Sequence, residues 1–440
     1  MRKPRVAATI AFSLAILVGA PAGAARAVSD PTGLLASDNV SLLTSIPNPG
    51  AIGARFRDGV MYVTSLAGLT TYDITTPASP RLIGTLPLPH FENEDVDLGG
   101  NILLISNDAA ESTGILYVID ITNPAAPTLL STMQMGGNPL FAGPGHTASC
   151  IRDCRFAWVT DNAGIRVIDL RDPAHPVNLG TFETPAGGDV VTHDVQVDTK
   201  GLAWVVGFGG TAAYKLPRKY DGTGLGTLVA KTDPTGNSTY FDEFGLGDGG
   251  NPNDFIHHNS FRRKSVVLVT EEDYTRPGCR GAGSFQTWKL PATRGGLPTG
   301  EDMTLLDQWT TELLADTAAP AAVCSAHYFD VRGDVVAQGW YEQGVRFLDV
   351  SNPSNIRQIG FFVPPNSATW GAYFAPTDPS GRIVYSVDAS HGIDVLEFER
   401  PNDLSTAATL GAPVRSEWTT AAPATGAPST TYGFACRISL

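Results

Sequence analysis

Four of the eight histidines in this 440-residue chain, His146, His193, His257 and His327, fall at one register. The register is set by the apolar residue that closes each of seven short strand-like segments: Phe56, Leu98, Cys150, Val197, Phe261, Val331 and, in a longer hairpin, Phe374. Four residues before these stand Ile52, Glu94, His146, His193, His257, His327 and Trp370. Residues i and i+4 of a strand share a face, so successive units would present these side chains at equal height. Imidazoles converging from neighbouring units make a transition-metal site, because neutral histidine nitrogen binds such ions at about 2.0 to 2.1 Å. With Glu94 as a fifth ligand or as a carboxylate orienting an imidazole, the set suits copper first, iron second and zinc third, whereas calcium and magnesium want oxygen ligands. Oxygen or a small-molecule substrate would bind at an open position on the ion, with Glu94 or a nearby acid moving protons. The competing expectation is a set of buried histidines, each hydrogen-bonded inside its own unit, in a non-catalytic scaffold or cell-envelope binding protein.

The units that must position this register are visible as repeats. LTTYDITTPASPRLIG (69–84), LYVIDITNPAAPTLLS (116–131), IRVIDLRDPAHPVNLG (165–180) and VRFLDVSNPSNIRQIG (345–360) share one strand, turn, strand pattern. Asp73, Asp120, Asp169 and Asp349 can cap the turn with a carboxylate, and Pro77, Pro124, Pro173 and Pro353 preset φ for the bend. A further strand pair precedes each copy, which makes a unit of four strands. Weaker copies lie at 190–217 and 255–290. The last, GRIVYSVDASHGIDVLEF (381–398), lacks a fourth strand, and VSLLTSIPNPG (40–50) reads like the missing one. A small antiparallel sheet cannot bury both faces alone, so repeated sheets stack radially. The expected fold is all-β: a seven-bladed β-propeller over residues 38–400, closed by an N-terminal strand that completes the last blade.

These copies, LYVIDITNP and IRVIDLRDP most closely, resemble the LVIVD-repeat family of bacterial propeller proteins. The resemblance implies the fold and little about function. The axial histidines look similar in arrangement to those of carotenoid cleavage oxygenases, which use iron, and of selenium-binding-type methanethiol oxidases, which use copper. That likeness implies a metal-dependent oxidase or oxygenase of a small molecule. WD-type propellers use a structural histidine with a Trp partner; the third strands LYVIDI, IRVIDL, AAYKL and VRFLDV lack that Trp, and only FQTWKL has one.

The connections between second and third strands should overhang the column. They carry Asn107, Asp108, Asp161, Asn162, Glu271 to Tyr274, Trp340 to Glu342, Asp388 and His391. Most are expected to be ordinary polar loop tips, with His391 the candidate to line the site as an acid or base. His258 falls out of register with His257 and is expected to face the other way as a structural residue. His175, set between prolines, belongs to the surface, and His90 could fall on either side. Long insertions, notably 221–254, interrupt blades four and five.

Net charge is −14, with no basic cluster after the N-terminal segment except Arg262, Arg263 and Lys264, which argues against a nucleic-acid partner. The sequence has no GxSxG, HExxH, paired CxxC or P-loop pattern, so serine hydrolase, zincin and nucleotide-binding chemistry find no support. Residues 1–27 read as a secretory signal, with a basic start, an apolar run and a small-residue site, and no membrane span is expected in the mature chain. Five cysteines in an exported protein favour disulfides: Cys150 with Cys154 across one hairpin, Cys279 with Cys324 next, and Cys436 left over. The Ala/Thr/Pro-rich stretch 401–440 reads as a poorly packed tail.

Overall fold

The computed structural model describes residues 34–88, 95–107, 114–136, 145–162, 164–188, 191–232, 256–272, 283–295, 297–298, 300, 302–311 and 325–402. Glu94, His90, Cys279, Cys324, Cys436, the 1–27 segment and most of the tail lie outside them. The described strands form seven antiparallel sheets of four or five strands arranged as a propeller, and one small two-stranded sheet, Thr293–Arg294 with Leu297–Pro298. The inner strands, in blade order, are Ala51–Arg57, Asp95–Gly99, Ala148–Ile151, Thr192–Val197, Ile256–Arg263, Phe329–Arg332 and Thr369–Phe374. Each pairs along one edge with the second strand of its blade and turns the other edge inward, where the inner strand of blade seven also bridges Tyr328 and Tyr341 of blade six.

Burial follows from this stacking. Second strands such as Phe156–Asp161, Leu202–Gly207 and Val266–Glu272 are buried at every position, because a blade lies against each face of them. Fourth strands such as Val177–Glu183 lie at the rim and remain largely exposed. An apolar cluster fills each of the seven junctions between neighbouring blades, including the one between blades seven and one, so the ring is closed.

Closure uses the N-terminal strand. Val40–Pro47 pairs antiparallel with Gly392–Phe398 and supplies the fourth strand of blade seven. A second short strand just before it, Leu35–Ala36, pairs with Val363 and Phe362 and gives blade six a fifth strand that the repeat pattern does not foretell.

The repeated turn does two jobs. Its aspartate caps the turn as expected: the Asp73, Asp120 and Asp169 carboxylates accept from the backbone N–H of Thr75, Thr122 and Arg171 at 2.9, 2.8 and 3.0 Å. Such bonds favour the ionised acid: the Thr75 hydroxyl, then the Thr75 N–H and Arg81, hold Asp73 down at about 2. The proline carbonyls latch blades together. Pro124 accepts from Thr71 of blade one at 2.7 Å, Pro173 from Ser131 of blade two at 2.7 Å, Pro353 from Thr287 of blade five, and Pro77 from Tyr385 of blade seven at 2.8 Å. The turn motif is therefore part of the junction as well as of its own blade.

Blades also meet at bare backbone. A Cβ on Gly339 in blade six would lie 2.7 Å from Cα of Gly371 in blade seven. Gly339→Ala should force these blades apart and cost roughly 1 to 3 kcal/mol, read as a lower urea midpoint. An unchanged midpoint would mean that the contact is slack.

Candidate metal centre

The axial column is built by a bulge. In blade four the register passes from Thr192 to Asp194, bulging His193 out of the ladder; in blade five it passes from His257 to Asn259, bulging His258; in blade seven from Thr369 to Gly371, bulging Trp370. An extra residue in one strand re-aims its side chain out of the alternating pattern. His146 and His327 directly precede the corresponding paired positions of blades three and six. Thr147 N donates to Thr160 Oγ1 as Asn259 N does to Thr270 Oγ1, and Tyr328 pairs with Gly339.

The rings of these residues form a continuous run. Centroid distances are 4.6 Å for His146–His193, 4.0 Å for His193–His258, 3.9 Å for His258–His327 and 4.7 Å for His327–Trp370. All five are buried. The structure thus brings together His146, His193 and His327 of the expected set and replaces His257 by His258. His257 turns away: its Nδ1 meets Thr211 Oγ1 at 2.8 Å and its ring faces Trp288 at 5.9 Å. Counting back from Phe261 fails because the blade-five inner strand is longer. The equivalent of Val197 is Arg262, and Phe261 is itself 39% exposed. A shift of one residue exchanges the two faces of a strand.

His391 does not join the column. It sits in the turn before the third strand of blade seven, where its Nε2 bonds the Pro365 carbonyl at 2.6 Å and its backbone N–H bonds Asp388. His175 is on the surface beside Asp172, as its prolines suggest. Cys150 and Cys154 form a disulfide across the blade-three hairpin.

The acid of the site is Glu272, at the end of the blade-five second strand. Its Oε2 lies 3.8 Å from His193 Nε2 and 3.9 Å from His258 Nε2, and the three ligand atoms fall within 4.8 Å of one another. Glu272 was within the sequence segment expected to overhang the column, yet its role was not foreseen. The visible signal was the acid pair Glu271 and Glu272 closing the strand-like run VVLVT. The Tyr341 hydroxyl donates to Glu272 Oε1. Tyr341 itself has φ of 34°, a left-handed conformation, held by paired backbone bonds with Thr369 at 2.9 and 3.0 Å. Strain of this kind persists only where the surroundings over-determine it.

Hydrogen bonding assigns the tautomers. His193 Nδ1 lies 3.1 Å from the His258 carbonyl and His327 Nδ1 lies 2.7 Å from the Trp370 carbonyl. A carbonyl only accepts, so both Nδ1 atoms carry the hydrogen and both Nε2 atoms carry the lone pair. Burial pushes His193, His258 and His327 well below the ordinary imidazole range; neighbouring imidazoles add to this, and the carbonyl bonds partly oppose it in His193 and His327. All three rings are therefore neutral at pH 7, the form that ligates metal. His146 Nε2 and His193 Nε2 are 3.0 Å apart. With a lone pair on the His193 atom, that gap is bridged by a proton on His146 or by a cation. Two metal–nitrogen bonds of about 2.05 Å meeting at roughly 90 to 110° would span about 2.9 to 3.4 Å, so the spacing fits an ion. Both ring nitrogens of His258 are buried and have no hydrogen-bond partner among the described residues.

Comparisons with known proteins bear on the fold. Residues 102–134 and 154–184, covering the second to fourth strands of blades two and three, match the LVIVD repeat. No curated protein sequence matches the chain. Among solved structures, it is similar to the β-propeller domain of Cps50 (Swd1) from Myceliophteria thermophila, with a TM-score of 0.53 at 11% identity, over 82% of this chain and 100% of that one. It is likewise similar to the WD40 repeats of RRP9, with a TM-score of 0.54 at 9% identity, over 83% of this chain and 100% of that one. Identities this low carry the fold alone. The chain is a seven-bladed β-propeller that contains LVIVD repeats.

Proposed function

We propose that the axial column is a transition-metal centre and that the protein is an exported, metal-dependent oxidoreductase acting on a small molecule. The observation that carries this reading is His258, a fully buried imidazole with neither nitrogen hydrogen-bonded among the described residues, set 3.9 Å from the Glu272 carboxylate. A buried polar group without a partner costs about 1 to 3 kcal/mol. Coordination of an ion would satisfy it.

His193, His258 and Glu272 would hold the ion, with His146 and His327 close enough to complete or orient the set. The residues expected from the sequence alone were nearly all imidazole, which favours copper. The carboxylate changes the balance, because two histidines and one carboxylate with open positions are the donor set of non-haem iron. Iron is therefore the first metal to test and copper the second. When bound, either ion would supply redox and Lewis-acid chemistry to oxygen or to a substrate oxygen. The chain's own residues fix ligand orientation: the His258 and Trp370 carbonyls hold the His193 and His327 tautomers, and Tyr341 holds one oxygen of Glu272, leaving the other toward the imidazoles. Tyr328, Tyr341 and Trp370 surround His327 with aromatic rings at 4.6 to 5.0 Å, which keeps water from that side. Export is supported by the N-terminal signal pattern and by the Cys150–Cys154 disulfide.

Elemental analysis of the protein after anaerobic loading with iron(II), and separately with copper(II) and zinc(II), tests the reading. About one tightly held ion per chain is expected. A chain that retains none of the three would leave a scaffold propeller with structural histidines.

A further inference from the structure

Trp370 occupies the axial register of blade seven and is bulged from its strand like His193 and His258. Its indole is buried, with ring centres 4.7 Å from His327 and 5.8 Å from Tyr341. The indole Nε1 hydrogen has no acceptor among the described residues. Trp340 also lacks one, but its ring packs against Trp309 at 5.2 Å in the cluster between blades five and six. An unpaired donor alone does not mark a site. In Trp370 it coincides with a place in the axial ring.

The arrangement of that ring has a direction. Its imidazoles come from four consecutive blades, three to six. On the remaining arc, the described residues at this register are Trp370 of blade seven and Ile52 of blade one, both buried. A ligand reaching an ion held by the imidazoles from the arc of blades seven and one would meet Ile52 as an apolar wall and Trp370 as a donor. An indole N–H can only donate, so the ligand atom facing it must accept.

We infer that Trp370 and Ile52 form the ligand subsite of the axial centre, and that the subsite takes a small molecule presenting a carboxylate or carbonyl oxygen to the ion and to Trp370 Nε1. A cationic or purely hydrocarbon ligand would leave the buried donor unpaired. The inference rests on the metal reading above, and its test separates the two.

Protein labelled with 15N at tryptophan is loaded with diamagnetic zinc and titrated with acetate, the simplest carboxylate probe. The indole signal of Trp370, identified by its loss in Trp370→Phe, should move downfield and saturate. Trp370→Phe should bind zinc in the same stoichiometry but acetate about tenfold more weakly, the loss expected for one hydrogen bond to a charged acceptor. Saturable acetate binding with an unmoved indole signal and unchanged affinity in the variant would overturn the role of Trp370. Zinc uptake without acetate binding would overturn the ligand class. Failure to take up zinc would overturn the metal reading itself, and the subsite with it.

Discussion

Replacing His258 with alanine is expected to weaken metal binding by more than about 100-fold, while the same change at the adjacent His257 leaves one ion per chain. Loss of groups that merely orient a ligand costs about 10- to 100-fold in affinity, and loss of a ligand costs more. The contrast comes from the blade-five bulge, which sends His258 toward His193 and His327 and leaves His257 against Thr211 and Trp288. Stability should respond in the opposite sense. His257→Ala removes a packed, hydrogen-bonded ring and should cost about 1 to 3 kcal/mol. In metal-free protein His258→Ala removes a ring without a hydrogen bond and should cost less. Competition with a chromophoric chelator and urea titration of both variants would measure the two effects. Metal lost from His257→Ala and kept by His258→Ala would restore the register counted from the strand ends and remove the basis of the site.

Acid should unfold the metal-free protein earlier than the metal-loaded form. His193, His258 and His327 have folded-state pKa values pushed well below 6.5, mainly by burial. In the unfolded chain each titrates near 6.5. Below that pH the unfolded state binds more protons, so stability is complete above about 6.5 and falls as pH drops toward the folded values. The fall is up to about 1.4 kcal/mol per pH unit for each imidazole. Four buried acids act the other way. Asp97, Asp194, Asp330 and Asp394 are all raised, chiefly by burial, the last two to about 6, so the folded state takes up their protons above the ordinary carboxylate range and gains stability there as pH falls. The histidine contribution is therefore isolated by difference. His258→Gln, which cannot titrate, should flatten the decline below about pH 6 by up to about 1.4 kcal/mol per unit relative to the parent chain. Bound metal holds all the imidazoles unprotonated and should move the acid midpoint lower. Urea midpoints across pH 4.5 to 8 would show this, and identical slopes for variant and parent would mean that the His258 ring titrates normally in the fold.

The blades, their turns and the closure of the ring were legible in the amino-acid order because each rests on short-range patterning. The Asp caps and the prolines of the repeated turn act within a few residues of where they are written, and the apolar alternation of 40–46 identifies a strand with no partner nearby. The disulfide was legible for the same reason, since four residues separate Cys150 from Cys154. Three of the four column histidines emerged by counting along strands of matching length.

Membership of the metal centre was decided at tertiary level. Adjacent histidines at 257 and 258 offer two registers that differ by one residue, and only the pairing of the blade-five inner strand with its neighbour says which of them is bulged toward the axis. Glu272 belongs to a different strand from every imidazole: pairing within blade five sets it beside His258, and the packing of blade four against blade five brings its carboxylate within 4 Å of His193 as well. The latch from each preceding blade to the repeat prolines is equally invisible to a single unit, because its donor lies in another sheet. Local sequence specifies a turn or an alternation through sterics and hydrogen bonds a few residues long. Which side chains share a buried centre depends on packing between sheets, where one extra residue in a strand changes the direction of everything after it.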